Sequence, residues 1–166
     1  KMADDDEAGC KVEYLDTPDG TPEETNWIMR AGRARVTYVN GNTFEGNFDA
    51  ERVKQGEGVF TWMKPGEEDD SFVERAKYSG NYKDGFRSGF GKMVYPNGDI
   101  YEGEWSENMM QGEGSYTYKK TNDIYSGTWA DNKKNGEGRY EFGSDSSVLV
   151  GNWVNGEIGT GTWELI

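Results

Sequence analysis

Few residues of this 166-residue chain are equipped to react. There is no histidine, and Cys10 is the single cysteine. Ser-His-Asp and Cys-His pairs and a His-ligated metal are therefore excluded, as are an intrachain disulfide and a four-cysteine zinc site. Cys10 lies among carboxylates, which disfavour the thiolate, and reads as a bystander. Acid is abundant: 31 Asp and Glu against 18 Lys and Arg, a net charge of −13. Two runs, Asp4-Asp5-Asp6-Glu7 and Glu67-Glu68-Asp69-Asp70, are dense enough to attract cations. They lack the alternating ligands and central glycine of a calcium loop, and read as solvated acid. Gly89-Phe90-Gly91 and its relatives resemble phosphate-cradling turns only superficially. No helix follows to offer its N-terminus, and no Lys-Ser or Lys-Thr pair is present. No catalytic residue, metal or cofactor is expected. What remains is aromatic surface, 23 Phe, Trp and Tyr side chains, whose chemistry is packing and recognition.

The same charge opposes non-specific binding to nucleic acid or anionic lipid. No apolar run is long enough to cross a membrane as a helix, and none resembles a secretion leader. High charge with low hydropathy favours disorder, but disordered chains are poor in aromatics. Glycine is the second anomaly: 24 residues, about twice the usual share of about 7%. With four prolines, collagen does not account for it, so a repeat is the reading to test.

The elements that would position these rings follow from their spacing. Tyr101-Glu102-Gly103-Glu104-Trp105 recurs as Tyr125-Ser126-Gly127-Thr128-Trp129, Tyr78-Ser79-Gly80-Asn81-Tyr82 and Phe44-Glu45-Gly46-Asn47-Phe48. A fifth copy, Leu149-Val150-Gly151-Asn152-Trp153, keeps the glycine and the tryptophan. The central glycines are 34, 23, 24 and 24 residues apart. Each copy is followed by a Gly-x-Gly element: Gly56 and Gly58, Gly89 and Gly91, Gly112 and Gly114, Gly136 and Gly138, Gly159 and Gly161. These lead to alternating large residues such as Tyr116 and Tyr118, or Tyr140 and Phe142. Fifteen of the 24 glycines fall in this frame, so the glycine excess is the repeat itself.

A period of two places the large residues of each element on one face of a strand. Two such strands joined by a six-residue loop, residues 106–111, make a hairpin. Asn40-Gly41 and Asn97-Gly98 mark turns between units. A lone hairpin is marginal, whereas stacked hairpins bury each row against the next. The recurring glycines Gly46, Gly80, Gly103, Gly127 and Gly151 are expected to leave no room for a Cβ beneath a neighbouring hairpin's ring. For the paired glycines, close approach and positive φ both remain open.

Tyr-x-Gly-x-Trp followed by Gly-x-Gly, at this period, resembles the MORN repeat (membrane occupation and recognition nexus). The resemblance covers residues 32–166. It implies an all-β fold: an elongated, twisted, single-layer antiparallel sheet of stacked hairpins, solenoid-like, with an aromatic-lined groove. Half a repeat spans 32–41, and full repeats span 44–63, 78–98, 101–122, 125–145 and 149–166, with an insertion at 64–77. Tyr78, Tyr82, Tyr101, Trp105, Tyr116, Tyr118, Tyr125, Trp129 and Tyr140 are the residues expected to line a partner groove, and they are also the natural core of such a sheet. The last unit departs from the pattern at Leu149 and in a shorter loop, as expected of a cap.

A narrower resemblance, to the MORN proteins of ciliary radial spoke heads, is carried by residues 122–129, by Gly151-Asn152-Trp153-Val154-Asn155-Gly156, and by the ending Glu164-Leu165-Ile166. It implies a non-catalytic scaffold of the eukaryotic cytoskeleton, in the cytoplasm and the axoneme of a cilium or flagellum. Partners would be other proteins, a second copy or a paralogous MORN chain among them, and not nucleic acid. Two other roles are suggested by the resemblance. One is phospholipid binding, which the charge opposes, the best basic clusters being Arg30, Arg33 and Arg35, and Lys119-Lys120 with Lys133-Lys134. The other is regulation of an enzyme domain, which would need residues beyond Ile166.

Outside the repeats, residues 1–26 carry nine acids against Lys1 and Lys11, a charge of −7. Residues 1–31 read as an acidic extension with a turn at Pro18-Asp19-Gly20. The apolar Trp27, Ile28 and Met29 are placed to cover the first strand's open edge. The insertion reads as a longer, solvated hairpin, or as a contact loop carrying Phe72 and Val73.

Overall fold

The computed structural model describes residues 9–17, 23–25, 30–67 and 71–164. The Asp4–Glu7 run, Pro18-Asp19-Gly20, the Trp27, Ile28 and Met29 cluster, Glu68 to Asp70, Leu165 and Ile166 lie outside the described residues. Every regular element among the described residues is a β-strand, and the pairings are antiparallel. The chain divides into two compact units, Lys1–Phe86 and Arg87–Ile166.

The first unit contains β1 (Lys11–Tyr14), β2 (Glu23–Thr25), β3 (Gly32–Thr37), β4 (Thr43–Phe48), β5 (Lys54–Pro65) and β6 (Phe72–Lys83), in sheet order β6-β5-β4-β3-β1-β2. The acidic extension thus supplies a cover for β3. The cover is β1, whose Val12 and Tyr14 are buried opposite Val36 and Ala34. The insertion lengthens a hairpin: β5 and β6 run 12 residues each, and Gly66 N–H donates to the Ser71 carbonyl at 2.9 Å across the turn. Phe72 lies over Gly41, leaving no room for a Cβ there.

The second unit contains β7 (Phe86–Val94), β8 (Ile100–Ser106), β9 (Met109–Thr117), β10 (Ile124–Ala130), β11 (Lys133–Glu141), β12 (Val148–Val154) and β13 (Glu157–Glu164), paired in chain order. The anticipated six-residue loop is absent. Only Glu107 and Asn108 turn, at φ 49° and 69°, the left-handed pair that matches the twist of a tight hairpin. A bulge absorbs the remaining residues: as β8 advances from Gly103 to Trp105, β9 retreats from Gly114 to Met110. The next hairpin repeats this, with Asp131 and Asn132 turning and the register shifting between Gly127 and Trp129. The final hairpin shifts between Asn152, which faces Thr160, and Trp153, which faces Ile158. That smaller bulge accounts for its shorter loop, and Gly159 is not left-handed as Gly112 and Gly136 are.

Two of the turns between hairpins share one device. Tyr95 N–H donates to Asp99, and Gly98 N–H returns to Tyr95, both at 2.9 Å. Tyr38 and Gly41 do the same around Asn40-Gly41, as the sequence predicts.

Candidate functional site

The aromatic face has two rows, and only one of them is accessible. The first row comes from the Tyr-x-Gly-x-Trp strands. In the second unit, Tyr101 meets Trp105 edge-on at 5.1 Å and Trp129 at 5.3 Å. Tyr125 meets Trp129 at 5.3 Å and Trp153 at 5.0 Å in the same manner. In the first unit, Phe44 meets Phe48 and Tyr82 edge-on, and Tyr82 meets Tyr78. Edge-to-face pairs suit the ring quadrupole, and each ring shields the next. Tyr78, Tyr82, Tyr101, Trp105, Tyr125 and Trp129 are consequently all buried. These six expected groove residues are core residues, each within its own unit.

Their polar tips are satisfied within the sheet. The Oη of Tyr101 donates to the Glu104 carbonyl at 2.9 Å, and Tyr78 and Tyr125 do the same three residues ahead. The indole Nε1 of Trp105 and that of Trp129 donate to Gly91 and Gly114 carbonyls, each at 3.2 Å. Leaning along its own strand, Tyr101 covers the glycines. A Cβ on Gly114 would sit 2.5 Å from Tyr101 Oη, and one on Gly103 would sit 2.5 Å from the Gly114 Cα. The obstacle is thus a ring and a backbone of the same hairpin, where the sequence suggested a neighbouring hairpin's ring. The two reasons for glycine also separate. Gly114 needs space, whereas Gly112 lies at φ +66° within the bulge.

The second row is half-buried from Tyr95 to Phe142 and exposed at Trp163. Tyr95, Tyr116, Tyr118, Tyr140, Phe142 and Trp163 follow one another with centroid separations of 5.8, 4.6, 6.1, 4.7 and 5.5 Å. Tyr116, Tyr118 and Tyr140 were legible as candidates. Tyr95, Phe142 and Trp163 were not, although Tyr95 and Phe142 occupy the position of Tyr118, four residues after the second paired glycine. The first unit has a shorter counterpart in Tyr38, Phe60 and Trp62.

Carboxylates fix the row at the strand ends. Asp99 accepts from Tyr116 Oη at 2.9 Å, from Lys119 N–H at 2.9 Å and from Asn97 Nδ2 at 2.8 Å. It is the buried charged side chain of the described residues. Asp123 accepts from Tyr140 Oη at 2.7 Å and Gly143 N–H at 2.9 Å. Its pKa is lowered, chiefly by the Gly143 N–H and then by Tyr140. Burial raises the pKa of Tyr116 and Tyr140, with Asp99 and Asp123 adding to it. Burial likewise pushes Tyr125 up to about 12.

In three of the five repeats a cation packs against the rings from the position two residues before the first paired glycine, the other two having Met110 and Glu157 there. Lys134 Nζ lies 5.2, 4.9 and 4.6 Å from the centroids of Tyr118, Tyr125 and Tyr140. Lys54 sits among Tyr38, Phe44 and Phe60, and Arg87 lies over Trp105 at 4.5 Å. Burial lowers the Lys134 pKa. The sequence signal for this was present, a basic residue at one repeat position, Lys54, Arg87 and Lys134.

Chemically, the row offers flat apolar surface with hydroxyls held in place, and its tyrosines are biased against ionisation. Among the described residues, no three His, Cys, Asp or Glu side chains converge as a metal site. The basic cluster Arg30, Arg33 and Arg35 is ion-paired on the fold: Arg30 with Asp16 at 2.9 Å, Arg33 and Arg35 with Glu45 at 2.8 Å each.

A family model of the MORN repeat matches residues 53–64, 78–100, 101–122 and 125–147. Comparison with curated proteins gives no match.

Proposed function

Taking as premise that the chain is a MORN-repeat protein, we propose that it is a protein-binding scaffold without chemistry of its own. The observation that carries this reading is the half-buried row Tyr95, Tyr116, Tyr118, Tyr140 and Phe142, lying on a first row that is already closed. A partner segment laid along that row would complete its burial, and Tyr is a favoured residue at such centres. Charge complementarity favours a segment with apolar residues flanked by basic ones, given the net charge of −13 and the carboxylates of Asp99 and Asp123 at the row's margin.

The role we assign is structural, in the cytoskeleton of a eukaryotic cell and within the axoneme of a cilium or flagellum, at the radial spoke or a related complex. Its support is the resemblance of residues 122–129 and 151–156 to spoke-head MORN proteins. Affinity purification from ciliated cells tests it: recovery of axonemal subunits supports the assignment, and recovery of membrane kinases defeats it.

A phospholipid module is the competing reading for MORN repeats. Two features favour protein over lipid: Arg30, Arg33 and Arg35 are ion-paired, and Lys134 is turned into the rings. Flotation with vesicles rich in anionic lipid at about 0.15 M salt decides between them, and robust binding there would reverse the ranking.

A further inference from the structure

The accessible row of the second unit has a fixed spacing. Its rings come from alternate strands: Tyr95 follows β7, Tyr116 and Tyr118 stand at the end of β9, and Tyr140 and Phe142 stand at the end of β11. These three strands run in one direction, since a single antiparallel strand separates each from the next. Tyr95, Tyr118 and Phe142 occupy one repeat position. They therefore recur every second strand, about 9.6 Å apart at ordinary strand spacing. Neighbouring ring planes from Tyr95 to Phe142 are inclined by 31°, 46°, 37° and 54°, so successive faces meet in shallow notches. Tyr116 and Tyr140 already donate their protons to Asp99 and Asp123. The Tyr118 hydroxyl makes no hydrogen bond among the described residues. Burial, then Asp99 and Asp123, raise its pKa, so it stays a neutral donor.

Regular backbone conformations differ in how well they keep step with this spacing. An extended strand returns to one face every ~6.8 Å and falls out of step at once. An α-helix returns every seven residues, about 10.5 Å, and drifts by about 2 Å over two hairpins. A polyproline II helix turns once in three residues, about 9.3 Å, and stays within about 0.6 Å over the same distance. It also leaves its backbone carbonyls unpaired, whereas a helix has used its own, so it alone of the two offers Tyr118 an acceptor along its whole length. Proline presets this conformation, so little chain entropy is lost on docking, and aromatic-lined grooves take such segments for that reason. Charge specifies the flanks. Residues 87–166 hold 12 acidic against 7 basic side chains, and Asp99 and Asp123 stand at the margin of the row.

We propose that the row takes a proline-rich segment in the polyproline II conformation, flanked by basic residues. Its turns seat one per hairpin along Tyr95, Tyr118 and Phe142, and one of its carbonyls accepts from Tyr118 Oη. This rests on the reading of the row as a protein-docking surface and names the class of its partner.

Fluorescence anisotropy with labelled peptides and the 166-residue chain provides the test. The probe is an oligoproline of about ten residues with an arginine at each end, long enough to span two hairpins in any register. A glycine-serine peptide and an amphipathic helical peptide, each with the same arginine ends, are the controls. The oligoproline is expected to bind at least about tenfold more tightly than either control. Tyr118→Phe, which keeps the ring, is expected to weaken it about three- to tenfold through the lost hydrogen bond. Phe142→Ser is expected to weaken it further, with circular dichroism showing both variants folded. Oligoproline binding no tighter than that of the glycine-serine peptide, or unchanged in both folded variants, overturns the proposal. Tighter binding of the helical peptide, lost in Phe142→Ser, also overturns it while leaving the row a docking surface. Binding of none of the peptides, with protein partners still captured through Tyr118 and Phe142, separates the two readings in the same way.

Discussion

Trp129 Nε1 donates to the carbonyl of Gly114 at 3.2 Å, and the two residues belong to successive hairpins. Trp105 makes the equivalent bond to Gly91. In both cases a hairpin's tryptophan is fastened to the glycine backbone of the hairpin before it. Stability in such an array is a sum over neighbours. Replacing Trp129 should therefore be felt in two hairpins. Trp129→Phe is expected to cost about 1–2 kcal/mol through the lost hydrogen bond and smaller ring. Trp129→Ala should cost about 3–5 kcal/mol. Denaturant unfolding measures both, and equal midpoints for the two variants would contradict the assigned bond and packing.

The glycines should rank by mechanism. Gly103→Ala drives a Cβ against the Gly114 Cα and Tyr101 Oη, an overpacking cost of about 3 kcal/mol or more. At Gly112 the nearest atoms are the Glu104 carboxylate, which can swing away. There Gly112→Ala pays mainly for its left-handed φ, about 1–2 kcal/mol. Thermal or urea unfolding should give that order, and the reverse order would remove the close-approach explanation.

Asp99 and Asp123 hold the accessible row in place. Asp99→Ala leaves the Tyr116 hydroxyl and Lys119 N–H without their acceptor, an expected loss of about 2–3 kcal/mol. Asp99→Asn keeps one acceptor oxygen and should recover part of it. Near-ultraviolet circular dichroism from Tyr116 should follow the same order.

The titrating groups predict stability at both ends of the pH range. Tyr125 titrates at about 12 in the fold, above the ordinary value of about 10. Its contribution is full below pH of about 10 and is lost as pH rises through the folded value. Tyr116 and Tyr140 shift in the same direction. Tyrosinate absorbance should thus rise in two stages, the later one together with unfolding. Asp123 is shifted down, so its contribution is present above about pH 4 and declines as pH falls further. Asp123→Asn should flatten that acid limb.

Much of this was legible because the repeat constrains residues by type at fixed spacing. The period of two in Tyr101, Gly103 and Trp105 placed them on one face, and Asn40-Gly41 and Asn97-Gly98 announced their turns. The tight turn at Glu107 and Asn108 was hidden, since neither residue is a glycine and the bulge at Gly112 looked like loop length. Which ring row is accessible was hidden as well. Alternation assigns Tyr101 and Tyr116 to one face equally. Only the lean of Tyr101 toward Glu104, with Trp105 and Trp129 against its edges, closes one row and leaves the other half open. Strand β1 was obscured by the charge around it, because Val12 and Tyr14 are too short a pattern to read alone.

The accessible row is the central claim, and paired purifications from ciliated cells test it most directly. The bait is the wild-type chain or the Tyr118→Ser and Phe142→Ser double variant, whose rings belong to the outer row. Protein partners should be recovered with the wild type and lost with the double variant, while circular dichroism shows both chains folded. Undiminished recovery of the same partners by a folded double variant would contradict the claim.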